Sequence, residues 1–294
     1  MATRPRDASP GWSLPVGDMA WRYDSWESYF YPETINPVSG DGTLRNLYDE
    51  RDPRVLARFE YIETTGRATE LLRGDVAIPR TYDAEHVRAI HRHLFQDVYE
   101  WAGEYRTVDM SKQWPPELGR GYTDFLAVDR IGGFLDDLRQ RVHGAEWSKM
   151  DRDEFAQAAA DVFSRANFAH PFREGNGRTS KVFMVHVAEQ SRFTLDFARI
   201  TPEVWNRASV LTSPDPGSDR PVPDAMVPVF HAAAVERTSS STPSVDPAAR
   251  SRSPLSASYP KSPRQAPGPA QAEPQQQPYR GPSGYGYGTS GVSR

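Results

Sequence analysis

Apolar residues recur at every third or fourth position along most of the chain, which is the spacing of one face of an α-helix. The first such stretch stops before Gly74, a residue type that commonly ends helices. Its shared face comprises Val55, Phe59, Ile62, Gly66, Thr69 and Leu72. A second stretch follows Asp83, which is placed to cap a helix. Its apolar positions are Val87, Ile90, Leu94 and Val98. The pattern therefore predicts two consecutive helices.

The helical pattern breaks between Gly103 and Asp124. Strand-forming residues come first in this segment, and turn-forming Pro and Gly residues follow them. The strand formers are Tyr105, Thr107 and Val108, and the turn residues are Pro115, Pro116, Gly119 and Gly121. This composition predicts a short strand pair, or flap, between helices.

Helical spacing returns in residues 125–142 and again in residues 155–163, where alanines allow close helix packing. We expect this second stretch to be the central helix, ending just before His170. Another buried helix is predicted after Gly177, from Val182 and Phe183 onward. Shorter helices are predicted at residues 202–211 and 224–236. The fold class predicted from these elements is all-α, with one short β-hairpin flap.

The composition changes at residue 238, beyond which Ser, Pro, Gln, Gly and Tyr dominate. The small apolar surface of this segment cannot offset the conformational entropy that it would lose on folding. We therefore expect residues 237–294 to form a disordered tail. From residue 238 this tail carries six basic and two acidic residues, a net charge of +4. The whole chain has a net charge of −4, which leaves −8 for the rest. An acidic body argues against direct nucleic acid binding by the fold.

The location of the protein is constrained by what the sequence lacks. It contains no cysteine, which removes disulfides and fits a reducing compartment. Residues 1–15 include no apolar stretch of signal-peptide length, and no run approaches the length of a membrane span. We therefore expect a cytoplasmic protein with no membrane partner.

The densest cluster of chemically useful side chains is residues 170–178, His-Pro-Phe-Arg-Glu-Gly-Asn-Gly-Arg. His170 can accept a proton near neutral pH, and Glu174 can bind Mg²⁺. The Gly-Asn-Gly turn at a helix start can direct backbone N–H groups at an anion. Arg178 can hold phosphate oxygens with two parallel hydrogen bonds. Together these residue types indicate phosphate chemistry.

Residues 170–178, followed by Lys181, resemble the Fic motif, His-x-Phe-x-(Asp/Glu)-Gly-Asn-Gly-Arg-x-x-Arg. Residues 91–106 are similar to the helix and turn that precede the target-binding flap of that family. The resemblance covers roughly residues 31–207. It implies a Fic domain with flanking helices in residues 31–236, after an N-terminal extension of residues 1–30.

The resemblance also implies roles for individual residues. His170 would be the catalytic base, Glu174 would bind Mg²⁺, and Phe172 would belong to the core. The nucleotide-binding residues would be Gly175, Asn176, Gly177 and Arg178, with Lys181 on the γ-phosphate of ATP. The backbone of the flap would bind the target protein as an added strand. The flap residues are Arg106, Thr107, Val108, Asp109, Met110, Ser111 and Lys112.

The activity implied is transfer of AMP from ATP to a Tyr, Ser or Thr hydroxyl of a target protein. Lys181 departs from the family's arginine, which leaves open a catalytically weakened binding module. A Doc-like transfer of the terminal phosphate is a further alternative, although Doc-type enzymes tend to carry lysine at the position of Gly177. Glutamate precedes Gly or Asn only at Glu174. The chain therefore lacks the family's inhibitory Ser/Thr-x-x-x-Glu-Gly/Asn helix, and we expect a toxin controlled by a small separate antitoxin.

The remaining histidines and aromatic residues are given structural roles. His86, His91 and His93 are expected at surface or capping positions, since His91 and His93 point about 200° apart on a helix and cannot share a metal ion. The aromatic residues 21–31 are expected to pack rather than to form a ligand cage.

Overall fold

The computed structural model describes residues 23–114, 118–119, 121–215 and 217–237. Of the predicted tail, residues 237–294, only residue 237 lies within these ranges, and the first 22 residues of the predicted N-terminal extension lie outside them. The seven α-helices of the described residues are α1 (Pro53–Arg73), α2 (Ala84–Phe95), α3 (Ile131–Gly144), α4 (Arg152–Ala169), α5 (Asn176–Ala188), α6 (Pro202–Val210) and α7 (Val227–Ala233). The strands are β1 (Ser111–Gln113), β2 (Tyr122–Asp124), β3 (Phe193–Leu195) and β4 (Ala234–Glu236). The mostly helical fold class is confirmed.

Helix α1 forms where the sequence predicts it, but the face assigned to it is wrong. Asp52 caps its start by accepting from the backbone N–H of Arg54, and Gly74 ends it in the left-handed region at φ 77°. The buried positions are Leu56, Thr64, Ala68 and Leu71. Phe59 and Ile62, from the predicted face, are exposed instead. The inward face carries polar residues, so apolar spacing alone could not identify it.

Helix α4 is the central helix, as predicted. It begins with a capping box in which Asp151 and Glu154 each accept from the other's backbone N–H. Ala156, Ala159 and Ala160 are fully buried, so that α3, α5 and α7 can pack against α4. The core extends to Tyr23 and Tyr29, which precede residue 31.

Two segments predicted as continuous helices are divided in the structure. Helix α3 begins at Ile131 rather than at residue 125, because the preceding residues form a loop against α4. In this loop the N–H of Leu126 donates to the carbonyl of Phe168 at 3.2 Å. Residues 224–236 comprise a 3₁₀ turn (Asp224–Met226), α7 and β4. The predicted single helix is therefore wrong there.

The described residues form two small antiparallel hairpins rather than the one predicted. The strand pair predicted between Gly103 and Asp124 is confirmed, with Lys112 of β1 opposite Thr123 of β2. The residues predicted to form its first strand, Tyr105, Thr107 and Val108, precede β1 and lie in no strand. The second hairpin pairs β3 with β4 and brings the chain back to the end of α5. Next to it, the Arg237 side chain donates to the carbonyl of Ala188 at 3.2 Å.

A helix able to cross a membrane would have to be both long and apolar. None of the helices in the described ranges meets both conditions.

Candidate active site

The motif predicted from the sequence forms the loop between α4 and α5 and the first turn of α5. His170 ends α4 with a left-handed backbone, φ 38°, and Gly175 precedes α5 with φ 84°. The Asn176 side chain ties this loop together. Its Oδ1 accepts from the N–H of Phe172 at 2.9 Å, and its Nδ2 donates to the carbonyl of Phe172 at 2.7 Å. Because both ends of the Asn176 amide are hydrogen-bonded to Phe172, this side chain holds the shape of the loop. The first turn of α5 has backbone N–H groups without helical partners at the positive end of the helix dipole, where an anion can bind.

Phe172 lies in the core, as expected, and is held there by His91. The two rings stack with centroids 3.7 Å apart. His91 Nδ1 accepts from the N–H of Gly103 at 2.8 Å, and Nε2 donates to the carbonyl of Glu174 at 3.0 Å. Burial lowers the pKa of His91 to about 3, so the ring stays neutral and keeps this arrangement of donor and acceptor. The expectation of a surface or capping role for His91 is wrong.

The imidazole of His170 is fixed and neutral. Phe125 stacks on it with centroids 3.7 Å apart. Burial lowers the pKa of His170 to about 3, and the positive charges of Lys112 and Arg106 act in the same direction. A contact with the carbonyl of Asn167 opposes them. The ring is therefore unprotonated at neutral pH, which is the form that a general base needs.

Arg106 lies beneath the flap rather than on its edge. Its buried guanidinium donates to the carbonyls of His170 and Val108, at 2.9 and 2.8 Å, and to the carbonyl of Leu126. Its backbone N–H donates to Pro171 at 2.8 Å. Arg106 thus joins the base of the flap to the motif loop, and it differs from its predicted place in a target-binding edge.

The remaining predicted flap residues divide into anchoring and exposed positions. Thr107 is anchored to Tyr29 through their hydroxyls at 3.2 Å. Asp109 accepts from the N–H of Val128 at 2.9 Å, and the carbonyl of Met110 accepts from Phe125. Ser111 and Lys112 lie in β1, all of whose residues are exposed. These two are placed where another chain can approach.

Arg178 is buried in the first turn of α5, with 6% of its surface exposed. Its Nη2 contacts the carboxylate of Glu60 and lies 3.4 Å from that of Glu174. Its Nη1 donates to the Thr64 hydroxyl at 3.3 Å. The guanidinium also lies 4.6 Å from the centre of the Phe95 ring. Residues far apart in sequence therefore fix the predicted phosphate-binding arginine.

Glu174 is the motif carboxylate that the sequence predicts to bind Mg²⁺. Its side chain is 45% exposed, and Oε1 accepts from the N–H of Gly175 at 2.9 Å. No group of three His, Cys, Asp or Glu side chains that could hold a metal ion is found in the described ranges. A single half-exposed carboxylate suits Mg²⁺ that arrives with phosphate and keeps several waters, and it does not suit a resident metal.

Lys181 is the predicted nucleotide-binding residue that the structure does not bring to the site. It is fully buried on α5, with its ammonium 4.4 Å from the centre of Trp205 and 5.4 Å from that of Phe197. Its Nζ has no hydrogen-bond partner in the described part of the chain. Burial lowers the pKa of Lys181 from 10.5 to about 7. An enclosed amine cannot contact a bound γ-phosphate in this arrangement.

Arg173, in the middle of the motif, lies in an aromatic cage formed by the N-terminal segment. Its guanidinium carbon is 3.6 Å from the ring centre of Trp26, 5.0 Å from Phe30 and 5.7 Å from Tyr29. Cation–π attraction of this kind is strongest over tryptophan. The expectation that this aromatic segment would only pack is therefore incomplete, because it encloses a cation of the chain itself.

The sequence does not identify the residues that support the motif, because they lie outside it. Glu60 and Thr64 lie one helical turn apart on α1, and that spacing was the available signal. Trp26 and Tyr99, whose hydroxyl donates to Glu60, carry no separate signal in the sequence. His91 stood in the second matching stretch, but its partners could be identified only from the folded chain.

Comparison with known proteins places this geometry in a family. Residues 81–188 match the model of the Fic/DOC family. A protein of Sinorhizobium fredii, named as a probable protein adenylyltransferase, is 35% identical over 176 residues, which are 59% of this chain and 85% of that protein. The protein adenylyltransferase VbhT of Bartonella schoenbuchensis is 32% identical over 185 residues, which cover 63% of this chain. The chain spans only 35% of the length of VbhT.

The fold is also shared with solved structures. One is the N-terminal Fic domain of a VirB-translocated Bep effector protein of Bartonella quintana with bound ADP. It has 29% sequence identity and a TM-score of 0.59, over 72% of this chain and 96% of that one. The motif loop, the helices on either side of it and these likenesses together show that the chain belongs to the Fic/DOC family.

Proposed function

We propose that this protein is a nucleotidyltransferase that moves AMP from ATP onto a Tyr, Ser or Thr hydroxyl of another protein. The observation that carries the proposal is the neutral, fixed His170 beside the N-terminus of α5, within nine consecutive residues. The names of the relatives support it, since they are protein adenylyltransferases. ADP in a solved relative supports nucleotide use.

In the proposed reaction, the acceptor hydroxyl oxygen attacks the α-phosphorus of ATP and forms a new P–O bond. The bond from the α-phosphorus to the bridging oxygen breaks, and pyrophosphate leaves. His170 takes the proton of the hydroxyl. Because Nδ1 is enclosed, the proton is taken at Nε2. The base needs no prior deprotonation at neutral pH, since burial already keeps it neutral.

The anionic parts of the nucleotide would be held by the start of α5. The predicted backbone donors there are Gly177 and Gly175, although the Gly175 N–H donates to Glu174 Oε1 in this structure. A Cβ at Gly177 would meet nothing within 4 Å, so the first turn has open space beside it. Arg178 would hold the β-phosphate. Glu174 would hold Mg²⁺, which when bound neutralises charge on the leaving pyrophosphate.

We place this reaction in the cytoplasm, where ATP and Mg²⁺ are present, and we propose that a separate antitoxin restrains it. The support is the sequence, which has no glutamate followed by Gly or Asn other than Glu174. Expression of the chain should slow bacterial growth, and co-expression of a small helical protein with a Ser/Thr-x-x-x-Glu-Gly/Asn segment should restore it. Growth inhibition that His170→Ala leaves intact would contradict this part of the proposal.

The transfer reaction is tested with ATP labelled at either the α- or the γ-phosphate, incubated with a bacterial lysate. Label from the α-position alone should appear on protein. His170→Ala should lower labelling about a hundredfold or more, whereas His231→Ala, at a half-exposed surface position, should not. Transfer of the γ-label would instead indicate a terminal phosphotransferase. No labelling by the folded wild-type chain would leave only a binding module.

A further inference from the structure

A carboxylate and a hydroxyl from a distant helix hold the guanidinium of Arg178. Glu60 and Thr64 lie on successive turns of the inward face of α1, and both contact Arg178. Tyr99, in the turn after α2, donates its hydroxyl to the other oxygen of Glu60. Helix α1, the turn after α2 and helix α5 therefore meet at the Glu60–Arg178 pair.

This arrangement is unusual for a helix packed on a core. The Glu60 side chain is only 14% exposed, and burial of a carboxylate is unfavourable unless it is paired and hydrogen-bonded. Both oxygens of Glu60 are satisfied, one by Arg178 and one by Tyr99. Burial and the charge of Glu60 raise the pKa of Tyr99 well above its usual value, so its hydroxyl remains a donor. A set of contacts this complete defines one orientation of the guanidinium.

We propose that Glu60, supported by Tyr99, is a positioning residue that orients Arg178 for the β-phosphate of the nucleotide. The inference rests on the proposed function. Because the pair forms within the folded chain, the entropy of ordering the long arginine side chain is lost on folding and not on nucleotide binding. Phe95 beneath the guanidinium limits its movement further.

Glu60→Gln tests the proposal because it keeps the shape of the side chain and removes its charge. We expect the variant of the full chain to bind ADP in the presence of Mg²⁺ about tenfold or more weakly, as for loss of a charge-assisted contact. AMP has no β-phosphate and therefore loses no contact with Arg178, so its affinity should change by less than about twofold. Titration calorimetry with ADP and with AMP gives both values. A purely structural role would not separate the two nucleotides.

Tyr99→Phe provides a second variant that leaves the Arg178–Glu60 pair in place. It should weaken ADP binding in the same direction but less. Glu85→Gln is the matched control, because Glu85 also pairs with an arginine but is 75% exposed. It should bind ADP as the wild type does.

Equal losses for ADP and AMP would overturn the proposal in favour of a structural role. Unchanged or tighter ADP binding by folded Glu60→Gln would also overturn it, and tighter binding would mean that Glu60 competes with phosphate. If Glu60→Gln does not fold, the ADP-to-AMP comparison in Tyr99→Phe decides in the same way. A folded wild-type chain that binds neither nucleotide would overturn the proposed function as well.

Discussion

Replacing Lys181 with methionine should stabilise the protein. The lysine amine is fully enclosed over Trp205 and Phe197, with no hydrogen-bond partner in the described ranges. A charged amine in such a place has lost its hydration without a counter-ion. Lys181→Met keeps an unbranched side chain that can fill the same space and removes the charge.

The size of the effect follows from the pKa of Lys181. Its fall from 10.5 to about 7 corresponds, at about 1.4 kcal/mol for each pKa unit, to about 5 kcal/mol at neutral pH. Attraction between the ammonium and the Trp205 ring opposes this by about 2 kcal/mol. We therefore expect Lys181→Met to raise the free energy of unfolding by about 2 to 3 kcal/mol at pH 7.

The pH dependence gives a second signature. The folded pKa of Lys181 is lower than the unfolded one, so the unfolded chain binds more protons between pH 7 and 10.5. Above pH 10.5 the amine is neutral in both states and does not lower the free energy of unfolding. As the pH falls from 10.5 to 7, burial of the amine lowers the free energy of unfolding progressively. The advantage of Lys181→Met should therefore be largest at and below pH 7 and should shrink towards pH 10.

Urea unfolding followed by circular dichroism, at pH 7, 8, 9 and 10, measures both effects. Lys149→Met is the control, since Lys149 is 72% exposed and paired with a glutamate. It should change the free energy of unfolding little at any pH. A loss of stability for Lys181→Met at pH 7, or a difference that does not vary with pH, would refute burial of the amine.

Three further outcomes are expected. The acid limb of the kcat/KM profile for transfer should lie below pH 5, because the base His170 is active when neutral and its pKa is about 3; a midpoint near pH 6.5 in a profile from pH 4 to 9 would contradict this. Gly175→Ala should lower the free energy of unfolding by about 2 kcal/mol or more, measured by urea unfolding, because Gly175 has φ 84° and an added Cβ would collide with Phe95; Gly133→Ala, with open space beside it, should not. Trp26→Ala should weaken ADP binding and Trp26→Phe should restore most of it, since Arg173 of the motif packs against the aromatic face at this position. Equal affinities in calorimetry for the wild type and both variants would contradict a role of the aromatic cage in nucleotide binding.

Elements set by local signals could be predicted from the sequence. Asp83 caps α2 through the N–H of His86, and Gly74 ends α1, as their residue types indicate. The flap followed from a change in pattern between Gly103 and Asp124. The second hairpin could not be predicted, because β3 and β4 are three residues each and pair across the length of two helices.

The candidate site divides in the same way. The motif itself can be predicted from the sequence because its functional side chains lie within nine consecutive residues. The residues that contact and orient the motif cannot be predicted in this way, since Glu60 and Arg178 are 118 positions apart in the chain. Lys181 shows the opposite case, because its charge and its motif position predict a phosphate contact, whereas packing against Trp205 encloses the amine. Tertiary contacts decide which side of a helix a charge occupies.

The second hairpin fixes where the described chain leaves the fold. Arg237 is hydrogen-bonded beside Ala188, the last residue of α5, whereas the motif lies at the first residue of that helix. A helix of 13 residues is about 20 Å long. A fluorophore or affinity tag joined directly after residue 237 would therefore start about 20 Å from the phosphate-binding end of α5. This position offers a point of attachment for following nucleotide binding without placing the label at the motif.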